Sequence, residues 1–96
     1  MVQSTQQDGS VVFRFLGRLD TAECARIEGE VTQKAQTGGQ PVVFDLADVD
    51  FVASAFLRLC LMVQQKAAGN QLTLVNVCPP IKKVFKIAGL DQLLAR

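Results

Sequence analysis

The feature that most constrains the fold is an alternation of strand-like and helix-like segments along a chain of 96 residues. Segments rich in β-branched and aromatic residues at 11–16, 41–46 and 71–77 are separated by two segments with helical periodicity. Parallel strands need a long crossover connection, usually a helix, between them. The order therefore predicts a largely parallel or mixed sheet with right-handed crossovers.

The first half of the chain predicts a hairpin followed by an amphipathic helix. Residues 2–6 form a short candidate strand, and Asp8-Gly9 is typical of the turn that pairs it with the next strand. Asp20 is a candidate helix cap, with Glu23 three residues later completing a capping box. Behind them, one helical stripe is apolar and Gly38-Gly39 ends the helix. The members of that stripe are Cys24, Ile27, Val31 and Ala35.

The centre of the chain predicts a buried strand and a buried helix. Residues 41–46 form a near-continuous apolar run, which is typical of a strand covered on both faces. Residues 47–50 are predicted to be a polar loop. Residues 55–68 form a helix that is apolar on nearly every side, so we expect it to be more completely buried than a surface helix. Gly69-Asn70 is expected to close it.

The last quarter of the chain predicts one more strand and two more helices. Residues 71–77 alternate like a strand, and Pro79-Pro80 favours a helix start directly after it. Gly89 is expected to end this helix, and Asp91 to cap a short final one. The predicted apolar face of the Pro79-Pro80 helix consists of Ile81, Val84, Phe85 and Ala88.

Composition narrows the class of protein. Hydrophobic residues make up 49% of the chain and the net charge is +1, so we expect one folded domain over residues 1–96. Basic residues form no run that would displace counterions from nucleic acid, and the cluster Lys82, Lys83 and Lys86 is interpreted as the solvated face of a helix.

No apolar stretch reaches the roughly 18 residues needed to span a bilayer. The start lacks a signal-peptide pattern, which favours a cytoplasmic protein without membrane insertion.

Few residues of the sequence indicate catalysis or the binding of a cofactor or metal. The chain has no histidine and no glycine-rich phosphate loop, which argues against an enzyme and against a bound cofactor. Asp45, Asp48 and Asp50 allow a cation site or a phosphoryl acceptor, but ordinary loop residues are the favoured interpretation, so no metal site is predicted. The three cysteines are an odd number and widely spaced, which favours free, mostly buried thiols.

Ser54 is the most informative polar residue because it stands immediately before the apolar helix. Its hydroxyl is placed to cap that helix, which is the simpler interpretation. The same position suits a phosphate, because unpaired amides and the helix dipole stabilise negative charge there. Both interpretations stay open from the residues alone.

Residues 45–58, D-L-A-D-V-D-F-V-A-S-A-F-L-R, resemble the STAS-domain pattern D-L-x-x-V-x-[FY]-[IM]-[DS]-S-[SA]-G-L. Residues 17–20, 76–79 and 89–90 match further family segments in the same order, so the resemblance covers almost the whole chain. The chain thus resembles the STAS domain of anti-sigma factor antagonists. That resemblance implies a mixed sheet of four or five strands with helices packed mainly on one face.

The resemblance also implies a function and a site. In this family a serine at the start of the second long helix is phosphorylated by a serine kinase that is the anti-sigma factor or its paralogue, and a phosphatase resets the cycle. In members that read D-S-S-G this serine lies at the position of Ala55, and in members that read S-S-A-G it lies at the position of Ser54. The unphosphorylated form binds the anti-sigma factor and so releases sigma factor. Ala53, Ala55 and Phe56 depart from the family pattern, and they leave Ser54 as the one candidate acceptor in the motif.

We therefore expect partner switching at the start of this helix, with Phe56 facing the partner. The expected partner-binding residues are Ala53, Ala55, Phe56, Leu57, Arg58 and Asp20. An alternative is a constitutive STAS scaffold subunit of a lipid-transport ATPase complex, which needs no phosphorylation and suits the three departures. A STAS sensor of a small ligand is a weaker third possibility.

Overall fold

The computed structural model describes residues 2–7, 9–36, 41–66 and 72–94. These residues form a mixed four-stranded sheet in the order β1-β2-β3-β4, in which β1 is antiparallel to β2 and the other neighbours are parallel. The mixed sheet predicted from the alternating segments is confirmed. The elements are β1 (Val2–Gln7), β2 (Ser10–Leu19), α1 (Thr21–Gln36), β3 (Val42–Val52), α2 (Ser54–Lys66), β4 (Leu72–Val75), α3 (Pro79–Ile87) and a 3₁₀ turn (Asp91–Leu93).

Several predicted boundaries lie outside the described residues. They are Asp8 in the first turn, Gly38-Gly39 after α1, residues 67–68 and Gly69-Asn70 after α2, and Gln71 before β4.

β2 alternates between the helix-covered core and the opposite face of the sheet. Val11, Phe13 and Phe15 are buried, whereas Arg14 between them is exposed. In the register with β3, Phe13 lies beside Phe44, which is also fully buried. A period of two is typical of a strand that is covered on one face.

β3 is longer than predicted, and the polar loop expected at 47–50 is wrong. The buried positions of β3 first follow a spacing of two, at Val42, Phe44 and Leu46, and then a spacing of three, at Val49 and Val52. The register with β2 shifts twice, and each shift leaves one extra residue in β3. These bulges carry polar residues within a continuous strand, so composition alone suggests a loop. Gly17, beside the second shift, adopts the left-handed φ of +83° that favours glycine.

α1 begins as the sequence predicts. The Glu23 backbone amide donates a hydrogen bond to Asp20 Oδ1 at 2.9 Å, so Asp20 caps the helix. Cys24, Ile27 and Val31 are buried, and α1 packs on β2 and α2.

α2 is more completely buried than the surface helix α1, as predicted, although one side of it is exposed. Its inward stripe is Phe56, Leu59, Cys60 and Val63. Leu57 and Met62 are half-buried and Leu61 is 43% exposed. The reason is that α2 lies on one face of the sheet beside α1, which leaves its outer side to solvent.

The C-terminal elements are shorter and less buried than predicted. β4 ends at Val75 because Asn76 adopts a left-handed φ of 57°, which breaks the strand. α3 does end before Gly89, but only Ile81 and Phe85 of its predicted apolar face are buried, whereas Val84 and Ala88 are exposed. The short α3 contacts β3 and the 3₁₀ turn, so one side of it has no covering element among the described residues.

The predicted final helix is a single 3₁₀ turn, and Asp91 does not cap it. Leu90 occupies the cap position without a side-chain cap hydrogen bond, and Asp91 is the first residue of the turn. The Leu94 amide donates to the Asp91 carbonyl at 3.1 Å.

Phe56 lies in the core, so the expectation that it faces a partner is wrong. The side chain is 0% exposed, and its ring centroid lies 5.2 Å from that of Phe15, 5.9 Å from Phe44 and 6.4 Å from Phe85. Its spacing from Leu59, Cys60 and Val63 is three, four and seven residues, so one helical face carries all four into the core. Phe56 thus joins the sheet to α2 and α3.

Replacing Phe56 by Ala should lower the free energy of unfolding by about 3–5 kcal/mol, because it removes a fully buried ring and leaves a cavity. The matched control is Phe51→Ala, since Phe51 is 38% exposed and its ring lies against Arg18. That change should cost about 1 kcal/mol or less. Urea unfolding of both variants measures the difference, and equal losses would place Phe56 outside the core.

Replacing Asp20 by Ala should lower the free energy of unfolding by about 1 kcal/mol, because the α1 start loses its side-chain acceptor. Asp50→Ala is the control, since Asp50 is exposed and its side chain forms no hydrogen bond with the described residues. Thermal unfolding compares the two variants. A larger loss from the Asp50 change would contradict the capping role.

Candidate functional site

The carboxyl ends of β2 and β3 place two helix starts side by side. Leu19 pairs with Val52 in the register of the two parallel strands, and the Ala53 amide donates to the Leu19 carbonyl at 2.8 Å. The next residues along the chain are Asp20 on one side and Ser54 on the other. The structure therefore brings together predicted site residues that are more than thirty positions apart in sequence.

Ser54 is exposed and is the first residue of α2, not the residue before the helix. Ala53 precedes the helix, and its carbonyl accepts a hydrogen bond from the Phe56 amide at 2.9 Å. The interpretation of Ser54 as the cap is thus wrong, and Ala53 has no side-chain acceptor to replace it. Within the described residues the Ser54 hydroxyl forms no hydrogen bond.

The electrostatic setting of Ser54 favours an added negative charge. The first amides of a helix lack intrahelical acceptors and carry the positive end of the helix dipole. The first turn of α2 contains no acidic residue that would already neutralise it. By contrast, α1 has Asp20 at its cap and Glu23 in its first turn.

A groove runs beside Ser54 between α1 and α2. Its volume is about 190 Å³. The side chains of Ala25 and Ala55 are too small to close it, and Glu28 and Arg58 place opposite charges on its two walls. The lining residues are Thr21, Cys24, Ala25 and Glu28 of α1 with Ala55, Arg58 and Leu59 of α2.

The expected partner-binding residues divide into three groups by exposure. Arg58 is exposed one turn after Ser54. Phe56 belongs to the core and contributes no surface. The remaining members are half-buried beside Ser54; they are Asp20, Ala53, Ala55 and Leu57.

Phe51, three positions before Ser54, forms an exposed pair with Arg18 that residue patterns did not predict. The guanidinium carbon of Arg18 lies 4.3 Å from the centroid of the Phe51 ring, in the geometry of a cation–π contact. Phe51 is visible as an aromatic residue three positions before Ser54. Its exposure depends on the second bulge of β3, which changes the inward and outward alternation.

Two of the three aspartates of β3 have structural roles. Asp45 Oδ1 accepts hydrogen bonds from the Ala47 amide at 3.0 Å and from Asn76 Nδ2 at 3.1 Å. Asp48 forms an ion pair with Arg14 across the β2–β3 pair, and that hydrogen bond raises the pKa of Arg14. In the part of the chain that the structure describes, no group of three His, Cys, Asp or Glu residues could hold a metal ion.

The cysteines are free thiols, as predicted. Cys24 and Cys60 are buried and Cys78 is half-buried. Burial raises the pKa of the Cys60 thiol well above its usual value, and burial followed by the charges of Asp20 and Glu23 raises the pKa of Cys24. Because the thiolate is the reactive form, neither buried cysteine is prepared for nucleophilic chemistry at neutral pH.

No helix among the described residues is long and apolar enough to cross a bilayer.

Comparisons with known proteins agree on a family. A family model described as the Mlab STAS domain matches residues 2–95. BtrV of Bordetella bronchiseptica, which carries the designation anti-sigma factor antagonist, is 31% identical over 84 residues, covering 85% of this chain and 72% of BtrV.

Two solved structures share the fold. The unphosphorylated anti-sigma factor antagonist SpoIIAA has a TM-score of 0.85 at 21% identity, over 99% of this chain and 86% of SpoIIAA. A STAS-domain protein from Planctomyces limnophilus has a TM-score of 0.89 at 22% identity, over 99% of this chain and 86% of that one. From the family match, the sequence relative and the shared fold, the chain belongs to the STAS-domain family of anti-sigma factor antagonists.

Proposed function

We propose that this protein switches partners through the exposed start of α2. Its unphosphorylated form binds a serine-kinase-type anti-sigma factor, and phosphate on Ser54 releases that partner. The observation that carries the proposal is the exposed Ser54 hydroxyl, which makes no hydrogen bond with the described residues and directly precedes Ala55, a residue that lines the groove between α1 and α2.

Access for a kinase supports Ser54 as the acceptor. A kinase must reach the hydroxyl oxygen, and Ser54 is exposed at the surface. Ala53 and Ala55 on either side have no hydroxyl, so the segment offers a single acceptor. Phosphorylation adds about −1.5 to −2 charge at pH 7. At a helix start without an acidic first turn, that charge leaves the fold intact.

The charge of the phosphate explains why a bound partner would be released. A phosphate inside an interface has to lose its hydration, which costs free energy unless the partner supplies compensating contacts. Arg58 adds a second effect, because side chains four residues apart on a helix are neighbours. The guanidinium would contact the partner in the unphosphorylated form and the Ser54 phosphate in the phosphorylated form.

With Phe56 in the core, the partner surface has to come from other residues. Arg58 supplies a charge on the groove wall, and Ala55 leaves space for a partner side chain. Asp20, Ala53 and Leu57 border this surface as half-buried neighbours.

Phe51 offers the exposed aromatic ring that Phe56 does not. Its ring is already held against Arg18, so it would lose little freedom on binding. We therefore add Phe51 to the proposed partner surface.

The relatives support a regulated binding protein and not an enzyme. BtrV carries the designation anti-sigma factor antagonist. SpoIIAA is described in unphosphorylated and phosphorylated forms, and the fold of the phosphorylated form matches this chain with a TM-score of 0.76 at 23% identity. A serine phosphatase would complete the cycle in this protein.

Phosphorylation can be tested on the intact protein with its cognate serine kinase and ATP. Wild type should gain one phosphate by intact mass, and Ser54→Ala should gain none, because the segment then has no hydroxyl. Thr5→Ala is the matched control, since Thr5 is an exposed hydroxyl residue of β1 that does not line the groove, and it should behave as wild type. Equal phosphate on Ser54→Ala and wild type would rule out the acceptor.

Partner binding can be tested by titrating the anti-sigma factor into wild type and Arg58→Ala. The affinity should fall about tenfold, because a central arginine commonly contributes more than 1 kcal/mol to an interface. Arg26→Ala is the control, since Arg26 is exposed on α1, outside the groove and paired with Glu23. It should change the affinity less than twofold.

Experiments with wild type and Arg58→Ala also distinguish the partner-switching hypothesis from the hypothesis of a constitutive scaffold. If an ATPase subunit of a transport complex were recovered equally by phosphorylated and unphosphorylated protein, and Arg58→Ala left the anti-sigma affinity unchanged, the switch would be wrong and the scaffold favoured.

A further inference from the structure

The solvent side of α3 carries a row of lysines without acidic neighbours on the helix. Lys82, Lys83 and Lys86 are exposed, and the segment Pro79–Ile87 contains no Asp or Glu. The helix therefore holds a formal charge of +3 in a chain whose net charge is +1. The nearest acidic residue in sequence is Asp91, which is exposed in the following 3₁₀ turn.

These lysines, like Arg18 and Arg58, form no ion pair with a described residue, in contrast to three other cations of the protein. Arg14, Arg26 and Lys34 each lie against a carboxylate. The α3 lysines form no ion pair with any residue that the structure describes. Their charge is therefore available to an external anion.

An apolar row runs beside the lysines on the same exposed side. Pro80, Val84 and Ile87 are spaced by four and three residues, which makes them neighbours along one strip of the helix. All three are exposed; Val84 is 37% exposed and Ile87 77% exposed. Ile81 and Phe85 carry the opposite side of α3 into the core. A solvated helix face accounts for the lysines, but it does not account for so exposed an isoleucine.

We propose that this face of α3, defined by Pro80, Lys82, Lys83, Lys86 and Ile87 with Val84, binds the surface of an anionic lipid bilayer. Parallel rows of lysine and apolar side chains are typical of helices that lie in the membrane interface. The apolar row enters the boundary between headgroups and acyl chains. The lysine stems lie along it, and their ammonium groups reach the lipid phosphates.

The size of the face favours a lipid surface over a protein partner. A nine-residue helix is only about 14 Å long. A stable protein interface buries about 800 Å² on each partner, which is several times what one face of such a helix offers. A charged bilayer has no minimum area and no required side-chain geometry, so flexible lysines suit it.

The expected binding is weak and reversible. Each lysine near an anionic surface strengthens binding about fivefold, so three contribute about a hundredfold. The contribution is electrostatic and decreases as salt shortens the Debye length. The proposal does not depend on Ser54 or on the identity of any protein partner.

Co-sedimentation with vesicles tests the proposal. Wild type should sediment with vesicles made of equal parts phosphatidylglycerol and phosphatidylcholine at low salt, and much less at high salt or with phosphatidylcholine alone. Lys83→Gln should weaken binding about fivefold, and replacing all three lysines by Gln about a hundredfold. Ile87→Ser should weaken it several-fold, since it removes the most exposed part of the apolar row.

Lys34→Gln is the matched control, because Lys34 is an exposed lysine of α1 that is paired with Glu30. It should change vesicle binding less than twofold. Every variant keeps the core residues of α3, and circular dichroism checks its fold. No sedimentation of wild type with anionic vesicles would overturn the proposal, as would equal binding to phosphatidylcholine alone or an equal loss from Lys34→Gln.

Discussion

The parallel pairing of β2 with β3, continued to Leu19 and Val52, is the constraint on which the rest of the structure depends. It brings two helix starts together at one edge of the sheet, and it brings the rings of Phe15 and Phe44 into contact so that Phe56 packs on both. Stability and site geometry therefore have a common origin. The same buried rings that hold α2 to the sheet also hold Ser54 at the surface.

The two neighbouring helix starts differ in whether a carboxylate lies at their free backbone amides. α1 has a carboxylate cap in Asp20, so negative charge is part of its folded structure. α2 follows Ala53, which has no side-chain acceptor, and the first turn of α2 has no acidic residue. In the proposed mechanism this second start receives its negative charge only when a kinase supplies it. An intrinsic cap at residue 53 would compete with that charge for the same amides.

Local patterns predicted the order of the elements and several of their ends well. Asp20, the Pro79 start of α3 and Gly89 act through neighbouring backbone groups, so their roles are visible in sequence. The predictions were wrong where contacts with neighbouring elements determine the register of a strand or the burial of a side chain. The β3 bulges depend on register with β2, and the burial of Phe56 depends on rings contributed by β2, β3 and α3. The exposure of Phe51 and the groove lined by Ala25 and Ala55 likewise depend on packing between separate segments.

The extra residues in β3 have a consequence for how this strand tolerates changes in length. Because each bulge contains one residue without a partner in β2, deleting that residue would leave the pairing of the later residues unchanged. Deleting a residue from the regularly paired part of β3 would instead turn every later side chain to the opposite face, so that Val52 would leave the interior and the first turn of α2 would be rotated relative to Asp20. The paired residues of β3 thus fix the orientation of Ser54, and changes in strand length should be accommodated at the bulges far more readily than elsewhere in β3.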